Sequence, residues 1–153
     1  MKLIEKMAAK TKDHMNHEGV TIAFLGDSVT QGCFEIYKKE NNEIETVFDQ
    51  RCCYERSVVD FLSMLFPMVP VNTINAGISG DNTGRGVERV ERDVIRHQPD
   101  LTVVCYGLND CGKKETRVVT SALFTCHGYS APENGAGGIA VGFTVNNEAI
   151  KVY

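Results

Sequence analysis

Residues 20–32 read VTIAFLGDSVTQG, an apolar run rich in β-branched residues that breaks at Gly26 into a short polar loop. Such a run, ended by a glycine, predicts a strand buried on both faces. In an open α/β sheet, ligands bind outside the carboxyl ends of the strands, so Ser28 stands where a nucleophile would be displayed. The alternative is a serine that caps a helix, which is common in strand-to-helix loops. This stretch alone leaves both interpretations open.

Two more segments repeat the pattern of a strand followed by a polar loop. Residues 71–75 predict a second strand, which ends in the glycine-rich loop AGISGDNTGRG at residues 76–86. Residues 101–106, LTVVCY, predict a third strand, which ends in a loop at residues 107–110. Residues 34–50 are polar and without a clean period, and we expect them to form a surface excursion beside the Ser28 loop.

Helical periodicity occurs at residues 3–15, 57–66 and 87–94. The residues expected to face the core on these helices are Ile4, Met7, Ala8, Thr11, Met15, Val58, Phe61, Leu62, Leu65, Val87, Val90 and Val94. The charged residues of the last helix are expected to face outward, namely Glu88, Arg89, Glu91 and Arg92.

The alternation of strands and helices predicts an α/β fold, with a parallel sheet, helices on both faces and right-handed crossovers. All three polar loops then leave the same edge of the sheet. Acyl transfer needs a nucleophile, a base and hydrogen-bond donors for the oxyanion. Ser28 is a candidate nucleophile, and the N–H groups of Ser28 and Gly80 with the amide of Asn109 are candidate donors. Taken singly, Gly80 suits a turn, Asn109 a cap and Asp110 the support of its own loop.

The three loops resemble the first three sequence blocks of the SGNH (GDSL-type) hydrolases. The matching segments, in the family's order, are GDSVT at residues 26–30, NAGISGD at 75–81 and GLND at 107–110. The resemblance covers about residues 18–112 and implies a flavodoxin-like three-layer α/β/α sandwich. The family contains esterases, lipases, thioesterases and carbohydrate deacetylases that use no metal or other cofactor. Position 30 is Thr, so the loop is not the GxSxG elbow of the α/β-hydrolases.

The resemblance also implies a role for each matching site residue. Ser28 would be the nucleophile and the first oxyanion donor, and Gly80 and Asn109 would be the other two donors. Asp27 and Asp110 would brace the loops.

The sequence departs from the family in its last block, an Asp-x-x-His near the C-terminus that supplies the base. No Asp follows Asp110, and the one later His is His127, with Phe124 where the Asp should be. His14, His17 and His97 lie before the expected position. His127 is therefore a candidate base, with an unrelated loop histidine as the alternative. A serine without a base is a poor nucleophile at neutral pH.

The sequence changes character at about residue 116, and residues 131–142 (APENGAGGIAVG) are rich in glycine. Residues 139–145 and 149–153 are consistent with a β-hairpin. We predict a single domain over residues 1–153, with a family-like core at 18–112 and an atypical, truncated or diverged tail at 116–153. If this tail leaves a sheet edge or an apolar face uncovered, we expect the chain to form homo-oligomers.

Composition limits the class of protein. The chain has 153 residues, of which 42% are hydrophobic and 24% are charged, which is typical of a globular domain. A net charge of −4 argues against nucleic-acid binding. No apolar run approaches the roughly 20 residues that span a bilayer, and no signal peptide is visible, so we expect a cytoplasmic protein without a membrane partner. The six cysteines form no CxxC pair and have no histidine at metal-ligand spacing, so free thiols are expected.

Three functional hypotheses follow from these patterns. The first is a serine ester hydrolase acting on small acyl esters or acetylated carbohydrates. The second is a catalytically impaired relative that binds such ligands or belongs to an assembly, because the last block is missing. The third is a phosphate or flavin binder that uses residues 28–32, although no Walker pattern and no Trp is present.

Overall fold

The computed structural model describes residues 3–110 and the backbone of residues 140–145 and 148–150. In chain order, the described elements are α1 (Leu3–Lys12), β1 (Val20–Gly26), α2 (Ser28–Gln31), β2 (Cys33–Lys38), β3 (Ile44–Phe48), α3 (Tyr54–Leu65), β4 (Val71–Gly77), α4 (Thr83–Asp93), β5 (Leu101–Tyr106), β6 (Ala140–Val145) and β7 (Glu148–Ile150). Short 3₁₀ turns at Gln50–Cys52 and Ile95–His97 precede α3 and follow α4.

The sheet is built on β1, which pairs in parallel with β4 on one side and with β5 on the other. Val20 lies opposite Val71, and Ile22 lies opposite Leu101. The parallel pairing of these three strands confirms the predicted α/β fold with a parallel sheet. The sheet then continues with β6 antiparallel to β5 and β7 antiparallel to β6, in the order β4-β1-β5-β6-β7. The tail hairpin is thus present, but the sheet is mixed rather than wholly parallel. An antiparallel edge on a parallel sheet is common in large α/β folds.

The side chains of β1 alternate between two apolar cores, one on each face of the sheet. Val20, Ile22 and Phe24 pack with Met7 of α1 and Leu62 of α3. On the other face, Ala23 and Leu25 pack with Val90 of α4, with Val94 directly after that helix, and with Val104 and Tyr106 of β5. Because both faces are covered, β1 is almost fully buried, as its apolar run predicted. The described part of the chain therefore has the three layers of an α/β/α sandwich.

Several helical predictions were wrong in detail. Helix α1 ends at Lys12, so Met15 lies beyond it. Ile4, Thr11 and Met15, which were expected to face the core, are all exposed. On α3, Leu62 is 8% exposed, whereas Phe61 is 61% and Leu65 is 55% exposed. Successive helical residues are rotated by about 100°, so the row that contacts the sheet passes through Leu62 and leaves Phe61 on the flank. In α4, Arg89 is buried rather than outward, whereas Glu88, Glu91 and Arg92 are exposed.

Residues 34–50, expected to be irregular, contain the two-stranded antiparallel hairpin β2–β3. Most of its side chains are exposed or half-buried on both faces. A strand with no buried face does not show the alternation of apolar and polar residues from which strands are predicted. This explains why the sequence did not reveal the hairpin.

Candidate active site

Ser28 is the first residue of α2 and follows directly on the carboxyl end of β1. The N-cap of this one-turn helix is Asp27, whose side chain accepts a hydrogen bond from the Val29 N–H at 3.0 Å. The alternative interpretation of Ser28 as the helix cap is therefore wrong. Its half-buried side chain stands on the first turn of α2, as a displayed nucleophile requires.

Helix α2 lies against the end of β4. The Asn75 Nδ2 donates to the Thr30 carbonyl at 2.8 Å, and the Asn75 Oδ1 accepts from the Gly77 N–H at 2.9 Å. At Gly77 the two backbones are so close that a Cβ atom would lie 2.2 Å from the Gln31 nitrogen. The Ser28 turn can therefore approach β4 this closely only because residue 77 is a glycine.

Gly80 lies in a tight turn after β4, with a φ of +72°. The turn is attached to its neighbours by the Ile78 N–H, which donates to the Gly26 carbonyl at 3.1 Å, and by the Ser79 N–H, which donates to Gln31 Oε1 at 2.6 Å. Gly80 itself is exposed, and an added Cβ would meet no atom within 4 Å. The space beside this candidate donor is open to a ligand.

Asn109 connects the third loop to the other two. Its Nδ2 donates to the backbone carbonyl of Asp81 at 2.8 Å and lies 3.5 Å from Asp27 Oδ2. Asp110, next in sequence, is buried and accepts from the Thr83 N–H at 3.1 Å and the Thr83 hydroxyl at 2.7 Å. The structure thus brings the loops of Ser28, Gly80 and Asn109 together at one edge of the sheet. Their catalytic roles, and the supporting roles of Asp27 and Asp110, remain predictions.

Each of the three loops carries one aspartate whose side chain is almost inaccessible to solvent, namely Asp27, Asp81 and Asp110. Burial raises the pKa of Asp27 above its usual value, and the nearby charges of Asp110 and Asp81 add to the effect. Burial also raises the pKa of the Cys105 thiol, with a further contribution from Asp27. The thiol, one residue before the end of β5, is thereby kept neutral, and a neutral thiol is a poor nucleophile.

The described histidines occur in the segments that lead into the amino ends of β1 and β5. His14 and His17 precede the amino end of β1, and His97 precedes the amino end of β5; all three are exposed. The seven residues of β1 rise about 3.3 Å each, so its two ends are about 20 Å apart. His97 lines a cavity together with Ala76, Gly77 and Ile78 at the carboxyl end of β4. His127 lies outside the described residues, and so does most of the predicted tail.

Arg89, which the helical pattern predicts to face outward, is 7% exposed in the structure. Its guanidinium contacts Asp81, Tyr106 and the carbonyls of Gly26 and Ala76, directly beneath the Gly80 turn. One signal was available, because Gly86 lies three residues earlier and therefore on a neighbouring part of the same helical face. A Cβ at Gly86 would lie 2.8 Å from the Tyr106 hydroxyl, so this glycine marks the face of α4 that approaches the sheet.

Residues 3–110 contain no group of three or more His, Cys, Asp or Glu side chains arranged to hold a metal ion. Among the same residues, no helix is long and apolar enough to cross a membrane.

Comparison with known proteins defines the class to which this fold and site belong. The model of the GDSL-like lipase/acylhydrolase family matches residues 24–131, which is well over half of the chain. The chain belongs to this family, whose members are also called SGNH hydrolases.

Two curated relatives show the likeness in sequence. An acetylxylan esterase of Geobacillus stearothermophilus is 32% identical over 93 residues, which is 60% of this chain and 40% of the relative. An arylesterase of Vibrio mimicus is 45% identical over 40 residues, which is 26% of this chain and 20% of the relative. The chain thus matches less than half the length of either relative.

Two solved structures show the likeness in fold. A two-domain esterase active on acetylated mannans superposes with a TM-score of 0.60 at 27% identity, covering 80% of this chain and 29% of that one. A lipase/acylhydrolase from Enterococcus faecalis superposes with a TM-score of 0.51 at 25% identity, covering 69% and 51%. The fold class expected from the sequence is confirmed by these neighbours.

Proposed function

We propose that the protein is a serine ester hydrolase that acts on small acyl esters, with acetylated carbohydrates as the substrate class. The observation that carries the proposal is the position of Asn109. Its carboxamide donates to Asp81 and lies beside Asp27, so it stands between the Gly80 turn and the Ser28 loop. Esterase relatives that act on acetylated polysaccharides support the choice of substrate.

In the proposed reaction, the Ser28 Oγ attacks the ester carbonyl while a base accepts its proton. The tetrahedral oxyanion accepts hydrogen bonds from the Ser28 N–H, the Gly80 N–H and the Asn109 Nδ2. The first-turn position of Ser28 leaves its N–H without an acceptor inside α2. The 3.5 Å separation from Asp27 is long for a hydrogen bond, so the oxyanion can attract the second N–H of the Asn109 amide. The alcohol then leaves, and water hydrolyses the acyl-Ser28 ester.

His127 is the proposed base, because it is the one histidine that follows all three loops in the sequence, as the base of the family's last block does. No metal or organic cofactor is needed for this chemistry, since the base and the three donors supply the proton transfer and the charge stabilisation. The proposal includes a location in the cytoplasm and a small-molecule ester as the binding partner.

Labelling with a fluorophosphonate tests the proposal, because the reagent forms an adduct with an activated serine. We expect one adduct, located at Ser28 by peptide mass spectrometry, and hydrolysis of p-nitrophenyl acetate that Ser28→Ala abolishes. Ser63→Ala is the matched control, because Ser63 is exposed near the far end of α3 from Tyr54, the residue of that helix that contacts Thr30. A folded wild-type protein that gains no mass with the reagent contradicts the proposal.

The second candidate function is binding of acetylated carbohydrate without turnover. The sequence favours it, because the Asp-x-x-His block that supplies the base in the family is missing. Calorimetric titration with acetylated xylo-oligosaccharides separates the two functions. Saturable binding without acetate release supports the second candidate, whereas acetate release that requires both Ser28 and His127 rules it out.

A further inference from the structure

A cluster of three buried polar side chains, Asp81, Arg89 and Tyr106, lies under the Gly80 turn; we call it the Arg89 cluster. Their exposed fractions are 1%, 7% and 2%. The Arg89 Nε donates to Asp81 Oδ2 at 2.7 Å and its Nη2 to the Tyr106 hydroxyl at 2.7 Å, while that hydroxyl donates to the same Asp81 oxygen at 2.8 Å. The three groups close a triangle in which each touches the other two.

Arg89 also connects the cluster to the ends of two strands. Its Nη1 donates to the Ala76 carbonyl of β4 at 2.7 Å, and its Nη2 donates to the Gly26 carbonyl of β1 at 3.0 Å. Gly26 and Ala76 lie immediately before the Ser28 loop and the Gly80 turn. One guanidinium from α4 therefore fixes the points at which both segments leave the sheet.

Asp81 transmits this constraint to the two predicted donors that lie outside the Ser28 loop. It follows Gly80 directly, its N–H donates to the Ile78 carbonyl at 3.1 Å, and its own carbonyl accepts from Asn109 Nδ2 at 2.8 Å. Fixing the Asp81 side chain therefore orients the backbone next to Gly80 and the carbonyl that holds the Asn109 amide.

We propose that Arg89 and Tyr106 are positioning residues, which hold Asp81 so that the Gly80 N–H and the Asn109 amide point at one oxyanion. The inference rests on the proposed esterase function. Stability alone is a weak explanation of the cluster, because desolvation of a buried ion pair largely cancels its attraction. The planar guanidinium supplies donors in several fixed directions, which a lysine ammonium on a flexible stem does not reproduce.

The test uses Tyr106→Phe, which removes the hydroxyl but keeps the ring that packs against Gly86 and the core. We expect kcat for p-nitrophenyl acetate to fall about tenfold while KM changes less than about twofold, because displaced donors weaken binding of the transition state and not of the ester. Arg89→Lys is the second variant, and its kcat should fall further, because one ammonium cannot serve at once the five acceptors that Arg89 contacts.

Val90→Ala is the matched control, since Val90 is the next residue of α4, is buried in the same apolar core and has no polar side-chain group to join the cluster's hydrogen bonds. It should lower the melting temperature and leave kcat unchanged. If Tyr106→Phe and Arg89→Lys lose no more activity per folded molecule than Val90→Ala, the inference is overturned.

Amide hydrogen exchange supplies a readout that does not depend on activity. In Tyr106→Phe, the Asp81 amide should exchange faster while the amides of β1 keep their protection; in Val90→Ala, no selective change at Asp81 is expected. Unchanged exchange at Asp81 in Tyr106→Phe overturns the inference even if the wild type is inactive. Absence of both turnover and the Ser28 adduct in the wild type contradicts the proposed function instead, so the two failures are distinguishable.

Discussion

The position of the Asn109 side chain depends on contacts with two other loops. Its side chain is held by the Asp81 carbonyl and lies near the Asp27 carboxylate, so its position is determined by β1, β4 and β5 together. In the proposed reaction, it is the one oxyanion donor that is a side chain and can be removed without changing the backbone.

We predict that Asn109→Ala lowers kcat by about 10²–10³, which corresponds to about 2.7–4 kcal/mol of lost transition-state stabilisation. Steady-state kinetics with p-nitrophenyl acetate measure the effect, and KM should change little. Asn72→Ala, at an exposed position of β4, is the control. A decrease in kcat of less than threefold would exclude Asn109 as a donor.

Asp93 provides a residue-scale prediction about pH. Arg92 donates to both of its carboxylate oxygens, at 2.6 and 2.9 Å, and Arg89 donates at 3.1 Å. The Arg92 hydrogen bonds, with a smaller contribution from Arg89, lower the pKa of Asp93 from 3.8 to about 2. A carboxylate with a lowered pKa stabilises the fold above pH 3.8, and this contribution is lost as the pH falls through 2.

Asp93→Asn should therefore reduce the free energy of unfolding by about 1 kcal/mol at pH 7, since exposure to solvent weakens the ion pairs. The difference from the wild type should shrink between pH 4 and pH 2. Urea unfolding at a series of pH values measures it, with Asp60→Asn on the exposed side of α3 as the control for charge. A difference that stays constant over this range would show that the ion pairs contribute nothing.

At the scale of elements, the contact between α2 and β4 sets the position of the nucleophile turn. Gly77→Ala would place a Cβ 2.2 Å from the backbone nitrogen of Gln31, where no side-chain rotation relieves the overlap. We expect the free energy of unfolding to fall by about 3 kcal/mol, as in other overpacked sites. Thermal unfolding measures the loss.

Gly80→Ala is the matched comparison, because the space around Gly80 is open and the cost comes from its positive φ alone. That cost should be about 1 kcal/mol. If both substitutions destabilise the protein equally, close approach is not what requires glycine at position 77.

At the scale of the whole molecule, the outer side of α3 and the turn after it expose large apolar side chains. Phe61, Met64, Leu65 and Met68 are between 55% and 81% exposed. Contiguous apolar surface of this kind favours association. We therefore retain the prediction that the chain forms homo-oligomers, with a second copy covering this surface.

Light scattering across a range of concentrations should give a mass above that of one chain. The double substitution Phe61→Ser and Leu65→Gln should shift the protein towards the monomer. Ile4→Gln on α1, which replaces an exposed apolar residue elsewhere, should not. A wild type that remains monomeric throughout would show that the surface is not an interface between copies.

The sequence by itself determined the order of strands and helices, the burial of β1 and the gathering of the Ser28, Gly80 and Asn109 loops at one edge. These features follow from local patterns, because an apolar run predicts a buried strand and parallel strands place their carboxyl ends together. The same reasoning failed for the β2–β3 hairpin, whose strands bury neither face, and for the outer face of α3.

Only the tertiary structure decided the position of Arg89. Among the charged residues of α4, a solvent-facing arginine is the expected arrangement, because burying a charge is costly unless it is paired. The partners that make burial favourable are the Asp81 carboxylate, the Tyr106 hydroxyl and two strand-end carbonyls, which come from three separate parts of the sequence, at residues 26, 76–81 and 106. They meet only in the folded chain, so the local pattern of α4, in which Gly86 marks the face toward the sheet, could not show which groups pair with Arg89 inside.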